Sequence, residues 1–171
     1  MTTNDAERMT TDVWGRPVLD DGPQFGPLNG DETAWPAVPM LVLSDDDVMT
    51  CATEFSRAFS SEYFFTVWLI VLDEHGWTTK DAAELLDMPP RPPGTGVHSL
   101  LRRISTELEE RVPGCSVVVA IASPDGGDRG TRELTWAWAL LDAARAHGLP
   151  VRGVVAVGAH RARLLHSSVP T

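Results

Sequence analysis

Residues 115–134, CSVVVAIASPDGGDRGTREL, decide how the rest of the chain is read. The run Val117 to Ala122 is apolar and rich in branched side chains, as in a strand buried on both faces. Ser123 to Gly130 is a tight polar loop, and Thr131 opens an amphipathic helix. A loop that leaves a buried strand and enters a helix N-terminus is a frequent mount for a site, because backbone N–H groups point at whatever sits there. This loop holds no His, Cys or Lys, so the usual metal ligands and phosphate clamp are missing from the best-placed stretch of the chain.

Upstream, the pattern supplies the partners this unit needs. Ser44 followed by Asp45, Asp46 and Asp47 reads as a helix start, a hydroxyl cap and then acids at the positive helix end. Val48, Cys51, Ala52, Phe55, Ala58 and Phe59 recur at helical spacing, which predicts a helix over 44–59. The three acids could also suggest a metal cluster, but consecutive helical residues point in different directions, so capping is the better reading. Tyr63 to Asp73 is the clearest strand, ended by a Glu74-His75-Gly76 turn, with a returning strand or short helix over Trp77 to Leu86. The proline-rich run Pro89 to Gly94 is expected as a stiff connector. Val97, Leu100, Leu101, Ile104, Leu108 and Val112 predict a second helix over 97–111, stopped by Gly114.

Downstream, the third helix is expected over Thr131 to His147, ended by Gly148-Leu149-Pro150. Its core face is read as Leu134, Ala137, Trp138, Leu141 and Ala144, with Trp136, Leu140 and Ala143 as a second apolar stripe. That stripe is expected to meet the chain's own N-terminal arm or, failing that, a second copy in a homodimer through the Trp136 face. Val151 to Val157 and Arg161 to His166 are the last two expected strands. Adjacent strands with interleaved helices predict an α+β fold, an α/β/α sandwich-like mixed sheet flanked by helices. The domain is placed at 44–171. Residues 1–43 are read as an extended or partly disordered arm, with Trp14, Phe25 and Trp35 as anchors.

Charge narrows the partners. The formal net charge is −10, with eleven Asp or Glu against three Arg in residues 1–60. Such a balance argues against nucleic acid and anionic membranes, which need a cationic face. A basic patch nonetheless survives where Arg145, Arg152, Arg161 and Arg163 follow the last acid, Asp142. Cys51 and Cys115 have no metal-like or redox-like spacing. The polar, acidic N-terminus is unlike a signal or transit peptide and no apolar run is long enough to span a membrane, so a cytoplasmic location is expected. One Lys against thirteen Arg matches the coding bias of high-GC bacteria.

The second half resembles the JAB/MPN metalloprotease-like fold, in the version found in RadC-type bacterial proteins. Three segments carry the resemblance across residues 60–166. Phe65 to Gly76 is similar to the family's strand ending in Leu-Asp and a turn, and Val97 to Val112 stands where its central helix stands. Ile121 to Leu134 lies without a gap on the family's His-x-His-Pro-x-Gly and Ser-x-x-Asp signature. Pro124, Asp128, Thr131, Arg132 and Glu133 keep the loop-to-helix pattern, whereas the family's zinc-binding positions fall on Ile121, Ser123 and Leu134. A catalytic zinc needs about three N or O ligands around an open water position, and neither Ile121 nor Leu134 can coordinate anything. The resemblance therefore implies a metal-free, cofactor-free pseudoenzyme that works by binding protein, as relatives without zinc ligands do. Asp125, Asp128, Arg129, Arg132, Arg161 and Arg163 are the candidate partner-binding residues, and no catalytic residue is assigned.

Other chemistries fit less well. The loop lacks the Lys of a phosphate-binding motif, and Asp125 and Asp128 would repel phosphates. A relocated metal site would draw on His160 and His166, or on His98 with a loop acid, and would restore a metal-dependent peptidase or isopeptidase with Glu74 or Glu84 as base. Ser123 with His147 or His160 is the remaining nucleophile arrangement, which requires a triad geometry.

Overall fold

The computed structural model describes residues 25–27, 39–59, 65–85 and 88–169. The first long element, helix α1 (Asp45–Phe59), begins where the acidic run predicts. The cap is reciprocal. The Asp47 amide donates to Ser44 Oγ at 3.2 Å, and Asp47 Oδ2 accepts from the Ser44 amide at 2.9 Å and the Leu43 amide at 3.0 Å. The Ser44 hydroxyl also donates to Asp47 Oδ2 at 2.8 Å, and this bond, followed by those from the two amides, holds the Asp47 carboxyl below the usual range. The apolar residues at helical spacing then bury Val48, Cys51, Ala52 and Phe55 on one stripe.

Strand β2 (Thr66–Leu72) is buried throughout and turns into β3 (Thr78–Leu85). Asp73 Oδ1 closes that turn by accepting from the His75 and Trp77 amides, each at 2.9 Å. The expected strand start at Tyr63 lies outside the described residues. Helix α2 (Gly94–Arg111) begins three residues earlier than expected, because Pro93 supplies the extended residue before the first turn. Strand β4 (Ser116–Ala122) is again wholly buried, and helix α3 (Thr131–Ala146) carries the chain over to β5 (Val151–Val157). Strand β6 (Ala162–Ser167) returns alongside it. A short strand, β1 (Phe25–Pro27), lies in the expected arm and pairs with β3, while Trp14 and Trp35 fall outside the described residues.

The sheet order is β1-β3-β2-β4-β5-β6. β4 and β5 are parallel and the other neighbours antiparallel, so the sheet is mixed and the fold α+β as expected. Parallel neighbours cannot be joined by a tight turn, and α3 is the crossover that β4 and β5 require. Alternation along β2 divides the core. Val67, Leu69 and Val71 join α2 and α3 on one face; Trp68, Ile70 and Leu72 join α1 on the other. The lone helix closes its face with aromatic bulk: Phe55 meets the Trp68 ring edge-on at 5.0 Å and Phe59 at 4.8 Å.

The face of α3 corrects the sequence expectation. Trp136, Ala137, Leu140, Ala143 and Ala144 are buried, whereas Trp138 is 64% exposed and Leu134 and Leu141 are only half-buried. The helix is apolar on two sides, so periodicity alone could not choose between them. The choice follows from Trp136 Nε1, which donates to the Pro89 carbonyl at 2.9 Å and so uses the proline-rich connector as its partner. Trp136 is fully buried, so its ring does not stand open as a face for a second copy.

Candidate functional site

The loop 123–130 hangs from the C-terminal end of β4 and meets the β5–β6 turn, residues 158–161. The Ser123 amide donates to the Val157 carbonyl at 3.0 Å, and the Gly126 amide to the Ser123 carbonyl at 3.1 Å, which starts the loop as a turn. Backbone then lies against backbone: a side chain at Gly158 would overlap the Gly126 carbonyl, and one at Gly127 the Arg161 carbonyl. Gly127 also holds φ at +88°, a conformation that glycine tolerates and other residues resist. The sequence GG at 126–127 thus matches a loop pressed onto the following turn.

Arg132 organises the interior of this end. Its Nη2 donates to Ser123 Oγ at 2.9 Å and to Glu133 Oε1 at 3.2 Å, and lies 3.6 Å from Asp125 Oδ1. The guanidinium sits over the Phe65 ring, 4.5 Å from its centre. The Glu133 side chain is only 9% exposed, so its charge depends on that guanidinium for compensation. Gly126 and Gly130 leave the space that the Ser123 hydroxyl and the Glu133 carboxylate occupy.

The outer charges are also engaged. Arg161 Nη2 pairs with Asp128 Oδ2 at 2.6 Å and its Nε donates to the Gly126 carbonyl at 3.4 Å. Arg129 Nη2 donates to the Leu164 carbonyl on β6 at 3.2 Å. Of the six candidate partner-binding residues, Asp125 with Arg132 and Asp128 with Arg161 form pairs, and Arg129 caps a β6 carbonyl. Arg163 is exposed, with no charge partner among the described residues. Sequence reasoning named these residues but missed Phe65 beneath Arg132 and the burial of Glu133. The one available signal was Arg132-Glu133 in the first turn of a helix facing the loop.

The residues present do not fit a zinc ion in the manner of the resembled family. Ile121 is packed in the core beneath α2 and α3, and Leu134 offers no donor. The Ser123 hydroxyl is bonded to a guanidinium, whose positive charge would oppose a metal cation beside it. Among the described residues no group of three or more His, Cys, Asp or Glu is placed to hold a metal. His98 meets Asp142 of α3 at 3.3 Å and the His147 ring at 5.7 Å, at the opposite end of α3 from the loop, so it joins no loop acid.

Of the acid–base candidates, His160 lies in the β5–β6 turn beside the loop, whereas Glu74, Glu84 and His147 lie away from it. Glu74 lies in the β2–β3 turn, at the far end of a strand whose other end, Thr66, pairs with Ala122. Glu84 pairs with Trp68 and so shares the α1 face, whereas Phe65 and Arg132 belong to the α2/α3 face. Burial pushes the Glu84 carboxyl up. His147 sits at the C-terminus of α3, about 24 Å along the helix from its first residue, out of reach of Ser123. Cys51 is pushed up to about 12 by burial, and burial raises Cys115 as well, so neither thiol forms the reactive thiolate.

A search of protein-family models, of curated proteins and of solved structures finds no match to this chain. Among the described residues, no helix is long and apolar enough to cross a membrane.

Proposed function

We propose that this chain is a non-catalytic, metal-free, JAB/MPN-like module that binds another protein through the surface made by loop 123–130 and the β5–β6 turn. The observation that carries the reading is the Arg132 cluster. The end of β4, where the resembled family assembles its zinc ligands, is filled by a guanidinium bonded to Ser123 and Glu133 and stacked on Phe65. A site whose charges satisfy one another has no activated nucleophile and no open cation position. It does have a polar surface held by internal ion pairs, the kind that orients a partner without acting on it.

The test is metal content together with cleavage, on full-length protein purified without chelator and then supplied with zinc. Retention below about 0.1 equivalent, with no cleavage of peptide or isopeptide substrates, is the expected result. Close to one equivalent of zinc with chelator-sensitive cleavage would overturn the proposal in favour of a peptidase with a rearranged site.

A further inference from the structure

The sheet has two edges, and the chain treats them differently. β3 is covered by β1, whereas β6 ends the sheet with no strand beyond it among the described residues. A bare edge presents a row of backbone donors and acceptors, and natural edges are blunted by proline, bulges, inward charges or a covering segment. β6 contains no proline, its pairing with β5 shifts register at Leu165, and it leaves both core layers partly open. Leu164 packs on the α1 layer and Leu165 on the α2/α3 layer, each half-buried. A strand added outside β6 would complete both layers.

The charge around that edge selects the strand. Residues 143–171 contain no Asp or Glu, while Arg161 and Arg163 flank and occupy β6 and His166 lies within it. Arg129 reaches across from the loop to the Leu164 carbonyl, which brings a third guanidinium to the same edge. Of the nearby carboxylates, Asp128 is paired with Arg161, while Asp45 accepts from the Ser167 hydroxyl and keeps its charge, so the cationic part of the edge is its Arg161–Leu164 end. A second copy paired edge to edge would face these cations with its own.

From the bare β6 edge and its guanidiniums we infer that β6 is the docking strand for an acidic, extended segment of a partner protein, added to the sheet as a further strand. This deepens the binding-module reading and rests on it. Backbone pairing gives the register, Leu164 and Leu165 receive alternate apolar side chains, and Arg163 with Arg129 meets the acids. Arg129 can release the Leu164 carbonyl to a backbone amide of the incoming strand, since that bond is exposed.

The probe is an alternating Glu-Val peptide of about ten residues, enough to span the edge, added to the full chain. Its controls are the Lys-Val analogue and a version with proline at alternate positions. Binding of the Glu-Val peptide alone, tightening as salt falls, with slowed deuterium exchange confined to 162–167, is expected. Arg163→Glu should weaken it roughly fivefold to tenfold and Arg163→Gln less, with unchanged melting temperatures for these exposed substitutions. No binding, equal binding of the proline or Lys peptide, or protection elsewhere on the surface would overturn the edge-docking inference while leaving the binding-module reading intact. A free chain that sediments as a dimer with 162–167 protected would assign the edge to a second copy and overturn it too. Zinc-dependent cleavage of the peptide, seen by mass, would instead sink the binding-module reading, wherever the peptide sits.

Discussion

Arg132 and Arg163 are the same side chain put to opposite uses. Arg132 lies on the first turn of α3 and spends its donors inside the protein, on Ser123 and on the nearly buried Glu133, with its flat face on Phe65. Arg163 lies on the edge strand, exposed and with no charge partner among the described residues. The first is a structural counter-charge and the second is available to a partner. Net charge and sequence neighbours do not separate them. Burial of the opposing carboxylate does.

The hardest way to break the contrast is Arg132→Ala. It strands the Glu133 carboxylate and removes the partner of Ser123 Oγ, so chemical denaturation should show a loss of about 2–3 kcal/mol. Arg132→Met combined with Glu133→Gln should lose less than the single change, because no buried charge is then left uncompensated. Next in size is Gly127→Ala, which combines a positive φ with a backbone approach to Arg161. It should cost about 1–2 kcal/mol and loosen the loop, read as faster amide exchange over 123–130.

A smaller effect comes from Glu84, a carboxylate without the guanidinium that Glu133 has. Burial raises its folded pKa, so its ionisation opposes folding: the cost is absent below the unfolded value and grows as pH rises through the folded one. Glu84→Gln should therefore raise the melting temperature at pH 7, and the gain should vanish in acid. Asp47 has the opposite sign, its lowered pKa giving stability that is present at neutral pH and lost as pH falls. The smallest change is Arg163→Ala, within about 0.5 kcal/mol of the parent by thermal melt, as expected for an exposed side chain. A larger loss would mean that Arg163 has a structural partner, and the contrast with Arg132 would narrow.

Much of the architecture was legible. The Ser44-Asp47 cap, the turn after Asp73 and the β4–loop–α3 unit stand where local pattern places them, and the element after the turn, left open between strand and short helix, is a strand. Each is a short-range signal: a hydroxyl before a helix, a carboxylate two residues before an amide, a branched run before glycines. The face of α3 was not legible, because Trp136 and Trp138 head two apolar stripes of similar quality. The partner that decides between them, the Pro89 carbonyl, is 47 residues away. The site was legible as a set of residues and as a list of missing ligands, but its wiring was not. Phe65 lies far from Arg132 in the chain, and Glu84, near in the sheet to Thr66, faces the other layer.

The sequence by itself determined the three helices, the buried strands, the α+β class and the charge imbalance, since caps, turns and periodicity are local properties of the chain. Only the tertiary structure decided which tryptophan is core, which arginine is internal and which edge of the sheet has no neighbour among the described residues. Those outcomes depend on what long-range packing brings within a few ångströms. In a low-dielectric interior, that proximity turns a charge into either a satisfied pair or a cost.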